Sequence, residues 1–133
     1  MKRCEDIAEV QYQALVNELR KGKSVQQAMI DAYNSGAPRV FMSYELVRRH
    51  LSVRYHTGKW DVNNKRKHLI RMLDVLYEWW IERTKDIKGK RYKYMCLHER
   101  MEQPTAWPFS FYTFQTRIYR YRRGEFSKQK FYN

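Results

Sequence analysis

In the segment KRKHLIRMLDVLYEWWIER, residues 65–83, apolar side chains return with the period of an α-helix. Leu69, Met72, Leu73, Leu76 and Trp80 fall on one face of it. Val75 and Trp79 widen that face beyond what one neighbouring helix could cover. The spacing therefore predicts a long central helix from Lys65, or one half of a dimer contact.

The same period continues upstream. Ala8, Tyr12, Leu15 and Leu19 recur at helical spacing, and Gly22 is placed to stop them. Ser24 is the expected cap of a second helix, with Val25, Ala28, Met29, Ala32 and Tyr33 on one face. Asn34-Ser35-Gly36 and then Pro38 break it. Ser43 caps a third helix whose stripe is Tyr44, Val47, Leu51 and Tyr55, ended by Thr57-Gly58. Arg48, Arg49, Ser52 and His56 lie away from that stripe. Residues 59–67 read as a polar linker.

Downstream of the central helix, residues 85–93 suit a basic loop around Gly89. A fifth helix carries Tyr94, Leu97 and Met101 in step, and Pro104 and Pro108 bracket a second connector. Residues 113–123 read in two ways. Thr113 as cap, Phe114, Ile118 and Tyr121 as stripe and Gly124 as stop describe a helix. The β-branched and aromatic content instead suits one strand of a wing-like hairpin. Arg117, Arg120 and Arg123 do not alternate with period two, which favours the helix. Phe41-Met42-Ser43-Tyr44-Glu45 and Phe111-Tyr112-Thr113-Phe114-Gln115 match in chemistry, as an internal repeat would. The expected fold is all-α, with about six helices. Two helix–connector–helix units of helix-turn-helix type, residues 1–60 and 65–133, are joined by the central helix within one compact domain.

Charge points to the partner. Twenty-seven Lys and Arg against 14 Asp and Glu leave a formal +13. Solubility needs no such surplus, and the excess weakens a fold by self-repulsion. A polyanion would offset it, and nucleic acid is the usual one. The surplus is uneven: residues 1–34 carry 5 basic and 5 acidic groups, residues 35–68 carry 8 and 2, residues 69–102 carry 8 and 6, and residues 103–133 carry 6 and 1. Two blocks thus hold the excess.

In a helix-turn-helix reading, residues 24–34 brace and residues 44–56 recognise duplex DNA. Arg48, Arg49 and Ser52 would face bases or phosphates, while Arg39, Arg54, Lys65, Arg66 and Lys67 would contact the backbone. The connector from 35 to 42 exceeds the usual turn of about 3–4 residues, so this reading needs an inserted arm or a related arrangement. In the second block Arg117, Arg120, Arg122 and Arg123, with Lys128 and Lys130, interleave with Tyr119, Tyr121, Phe126 and Phe131. That mixture suits RNA or a single strand, and no acidic neighbour is expected to balance those arginines. Trp79, Trp80 and Trp107 look exposed. They motivate a second expectation, an assembly or adaptor protein with a protein partner or a homo-oligomer through the Trp79/Trp80 face.

Little points to catalysis. Cys96 and His98 form the one close Cys/His pair and lack a second pair at zinc spacing. Asp74, Glu78 and Glu82 share a helix face with Arg71 and Lys85 nearby, which favours ion pairing over a metal-dependent nuclease. The scattered glycines make no phosphate loop. No enzyme, cofactor or metal site is expected. Cys4 and Cys96 make no disulfide framework. No apolar run nears the roughly 20 residues of a membrane span. The polar start MKRCEDIAEV is unlike a signal peptide, so a cytoplasmic location is expected.

Ala37-Pro38-Arg39-Val40-Phe41-Met42-Ser43-Tyr44-Glu45, followed by Arg48-Arg49, resembles a motif of small basic proteins from prophages and mobile elements of gut bacteria. In those proteins an Ala-Pro-Arg-aromatic segment precedes Ser-Tyr-Glu and an arginine-bearing helix. Here Val40 stands at the aromatic position. The resemblance covers residues 24–56 and the start of the Lys65 helix. It implies a phage or mobile-element setting and no particular activity.

Overall fold

The structure is a computed structural model that describes residues 2–125. It is all-α, with no strand among the described residues. Among the described residues seven helical segments follow one another: α1 (Lys2–Leu19), α2 (Val25–Asn34), α3 (Tyr44–Thr57), α4 (Lys67–Thr84), α5 (Lys90–Lys93), α6 (Leu97–Met101) and α7 (Phe111–Arg122). Of the segment 113–123, for which sequence leaves helix or hairpin open, residues 113–122 lie in α7 and Arg123 is its C-cap.

Hydrogen-bonding serine side chains set the starts of α2, α3 and α7. Ser24 accepts from the Gln27 N–H and Ser43 from the Leu46 N–H, as their positions predict. At the far end of α3, Gly58 takes φ +76°, a left-handed conformation open to glycine at little cost, and its N–H returns to the Arg54 carbonyl. Two boundaries differ from expectation. α4 begins at Lys67, after a turn in which Asn63 accepts from the Lys65 and Arg66 N–H groups. α7 is capped by Ser110, not Thr113. In the apparent repeat, therefore, Ser43 caps its helix while the matching Thr113 already lies inside one. The repeat does not extend to helix register.

The chain divides into two compact units, and the division falls elsewhere than at residues 60–65. One unit holds residues 1–37 and 110–133, the other Pro38–Phe109. In the first, α1, α2 and α7 pack together around Ala8, Leu15, Ala28, Met29, Ala32, Phe114 and Ile118. Gln11 is fully buried there and donates from Nε2 to the Phe114 carbonyl at 2.8 Å, tying α1 to α7. Tyr33 meets Phe111 and Phe114 edge-on. Lys23 clasps α1 to α2 through Glu18 (2.5 Å) and Asp31 (2.7 Å).

The second unit contains α3, α4, α5 and α6 around Val47, Leu51, Leu69, Met72, Leu73, Leu76, Trp80, Tyr94 and Leu97. α4 lies wholly inside it, so the expected central helix is the spine of one unit and not a joint between two. Val40 donates its N–H to the Met101 carbonyl at 2.9 Å, which fastens the connector before α3 to the end of α6. The region read as one fifth helix is two short ones, α5 and α6.

Candidate nucleic-acid interface

Among the sequence-chosen residues of α3, Arg48, Arg49 and His56 are exposed and Ser52 is half-buried. The expected brace, α2, and the expected recognition helix, α3, fall in different units. The first packs with α1 and α7, the second with α4 and α6.

Around α3 the arginines lie over rings. The Arg48 guanidinium is 4.8 Å from the Tyr94 ring centroid, and Arg39 is 4.3 Å from that of Phe41. Arg54 sits 5.0 Å from Tyr77 and 6.0 Å from Trp60. Such contacts hold the cation over the ring without using its N–H donors in a hydrogen bond. None of these three guanidiniums has a hydrogen bond or ion pair to a described residue. Arg49 differs, with Nε 3.7 Å from Asp61 Oδ2.

The segment between α3 and α4 is anchored, although its polarity reads as a linker. His50 is buried and donates from Nδ1 to Asp61 Oδ1 at 2.5 Å. Its position was legible, since Val47, His50 and Leu51 follow helical spacing toward the core. Trp60 donates from Nε1 to Asp74 Oδ1 at 2.7 Å and meets the Tyr77 ring edge-on. Asn63 then turns the chain into α4. These contacts carry Lys65, Arg66 and Lys67 to the start of α4, all three exposed. That first turn contains no acidic residue, and Arg66 at the cap makes no side-chain capping bond. Cations at the positive end of a helix dipole are unfavourable, and an anion would relieve them.

The second basic block is arranged differently. Arg117 lies toward Gln11 of α1 at 3.5 Å. Arg120 and Arg123 both reach Glu125, at 3.0 and 3.4 Å. Burial raises the Glu125 carboxyl, but the Arg120 hydrogen bond and the Arg123 charge outweigh it and hold the group below its ordinary value. The expectation that no acid balances these arginines is therefore corrected. Glu125 does so, because one turn beyond the helix end returns it toward Arg120. Arg122 is exposed, with Tyr112 and Tyr119 also on the surface of α7. Phe126, Lys128, Lys130 and Phe131 lie outside the described residues.

Two further expectations are corrected. Trp80 is 1% exposed and Trp107 3%, so neither presents a docking face. Trp80 is held inside by its indole N–H, which donates to the Lys93 carbonyl at 2.6 Å, and Trp107 stacks between Phe41 and Phe109. Trp79 is half-buried against the same core. Arg100, unremarked in the sequence, is buried and donates to the Pro104 carbonyl at 3.4 Å, so its charge is largely withdrawn from the surface. Burial lowers its affinity for the proton below the ordinary arginine value.

The possible reactive groups have other occupations. Burial pushes the Cys96 thiol up, and its Sγ donates to the Lys93 carbonyl. His98 stacks on Tyr44 with centroids 3.8 Å apart. Glu82 pairs with Lys85 at 2.8 Å, and Asp74 holds Trp60. Among the described residues, no three of His, Cys, Asp or Glu converge as metal ligands, and no helix is long and apolar enough to cross a membrane. The chain matches no protein-family model, no curated protein and no solved structure.

Proposed function

We propose that this is a non-catalytic nucleic-acid-binding protein whose second unit holds the phosphate backbone, with duplex DNA as its principal target. The supporting observation is the set of ring-stacked guanidiniums, Arg39, Arg48 and Arg54, whose edge donors have no described partner. A stacked guanidinium is already oriented, so less side-chain freedom is lost when a phosphate binds. Lys65, Arg66 and Lys67 extend the surface, and α3 offers a helix of 14 residues with Arg48, Arg49, Ser52 and His56 away from the core. The unit Pro38–Phe109 carries 16 basic and 8 acidic residues, a net +8. The resemblance at residues 37–49 supports a phage or mobile-element setting in the cytoplasm.

Fluorescence anisotropy against labelled duplex DNA across a salt series tests the reading. Affinity is expected to fall linearly in log–log form as salt rises, through release of counterions. Replacing Lys65, Arg66 and Lys67 together by alanine should flatten the slope by about 2–3, given roughly 0.9 per phosphate contact. Negligible binding at low salt sinks the proposal.

A second reading, a single-strand or RNA surface on α7, draws on Tyr112 and Tyr119, 76% and 43% exposed along the helix that ends in Arg122. Substituting both tyrosines by alanine and finding unchanged single-strand affinity would remove it.

A further inference from the structure

At the C-terminal end of α3 the second unit opens a cleft of about 220 Å³, lined by Tyr55, His56, Trp80, Gly89, Lys93 and Tyr94. Its rings are fixed relative to one another. Tyr94 stacks on Trp80 with centroids 5.0 Å apart, and Tyr55 stands edge-on to Trp80 at 5.8 Å. Trp80 and Tyr94 are buried, so Tyr55, 47% exposed, is the ring open to a visitor. The Lys93 ammonium lies 5.3 Å from the Tyr55 centroid, and His56 adjoins the same ring at 5.3 Å.

Two properties of this wall select its ligand. Aromatic faces favour a flat, weakly hydrated group over a small hydrated ion. Three aromatic rings could also cage a cation. Here, however, the Lys93 ammonium already lies over the Tyr55 ring and Arg48 over Tyr94, so a second cation would meet like charge. The side containing Gly89 continues into α5, whose sequence is Lys-Arg-Tyr-Lys. A flat ring attached to a negative charge satisfies both demands, as one nucleotide does. The volume admits a single base and not a base pair.

We propose that this cleft takes one unpaired base of a nucleic acid, stacked on Tyr55, with its phosphate toward Lys93. The proposal rests on the nucleic-acid reading above and adds to it that the bound strand is open at this position. A base inside a duplex is stacked on both faces and must leave the stack to enter such a site. Tyr55 is not among the proposed phosphate contacts, so the two surfaces can be separated by mutation at that residue.

The experiment uses the full chain and three labelled probes: a short oligothymidylate, an abasic strand of the same length, and a duplex of the same length. The expected result is tighter binding of oligothymidylate than of the abasic strand. Tyr55→Ala should weaken oligothymidylate by about tenfold, the scale of one base–ring stack, and leave abasic and duplex affinities unchanged. Tyr55→Phe should restore binding. If the wild-type chain binds the abasic strand as tightly as oligothymidylate, or Tyr55→Ala weakens all three probes alike, the cleft is not a base site and backbone binding stands. If none of the probes binds at low salt, the nucleic-acid reading itself falls. Circular dichroism controls for folding. Should Tyr55→Ala lose helicity, Tyr55→Leu decides, since it keeps apolar bulk without an aromatic face: an unchanged preference for oligothymidylate over the abasic strand overturns the proposal.

Discussion

A guanidinium laid on an aromatic ring is directed without being consumed, and that distinguishes Arg48 from a surface arginine that merely adds charge. Arg48→Lys keeps the charge but loses the planar fork and much of its stacking on Tyr94. The expected result is several-fold weaker DNA binding with an unchanged helical circular-dichroism spectrum. Retained affinity would show that charge alone matters at this position. His50 and Asp61 form the other consequential pair. Asp61→Ala leaves a buried imidazole without its acceptor, at a cost of about 1–3 kcal/mol in a urea unfolding measurement. The outward direction of Arg48 and Arg49 was legible from helical spacing. Their ring and acid partners were not, because Tyr94 and Asp61 lie on other segments and spacing within a helix carries no information about them.

Within the elements, caps were the most legible feature. Ser24, Ser43 and Gly58 announce their helix ends through local chemistry, so Ser43→Ala should cost about 1 kcal/mol by leaving the Leu46 N–H without its side-chain acceptor. Thr113 misled because Ser110 offers the same chemistry one turn earlier and sits outside the Phe114 and Ile118 stripe. Residues 59–67 looked like a linker because their polarity is high. Their order comes from Trp60, Asp61 and Asn63 reaching partners on α3, α4 and the turn itself. The clasp between α1 and α2 gives a pH dependence. Lys23 lowers Glu18, with help from Lys21, and lowers Asp31, with help from Gln27; Asp31 and Glu18 in turn raise Lys23. Depressed carboxylates stabilise above their unfolded values, and that stability fades as pH falls through the lowered ones. Lys23→Met should therefore lower the urea midpoint at neutral pH, with the gap to wild type closing in acid. A gap that persists in acid would contradict this account.

Across the whole molecule, helix content was legible but the grouping of helices was not. Periodicity assigns Phe114 and Ile118 to a core without saying that α1 and α2 complete it. Proximity in sequence suggested halves, whereas Gln11 and Phe114 meet across 103 positions. The charge map is refined in the same way. Glu125 and Gln11 engage arginines of the C-terminal block, so most of the unengaged cations of known placement belong to Pro38–Phe109. A fragment of residues 38–109, uninterrupted in sequence, should unfold cooperatively and keep most of the duplex affinity. Loss of either would mean that the units depend on each other. The interrupted unit also has a consequence for how the protein is made. During synthesis α1 and α2 leave the ribosome early, yet their packing partner α7 is translated only after all of Pro38–Phe109. The second unit can fold while the chain is still growing, whereas the apolar faces of α1 and α2 must wait. The nascent chain is therefore most open to chaperones, and to association with its neighbours, along α1 and α2 until α7 has been made.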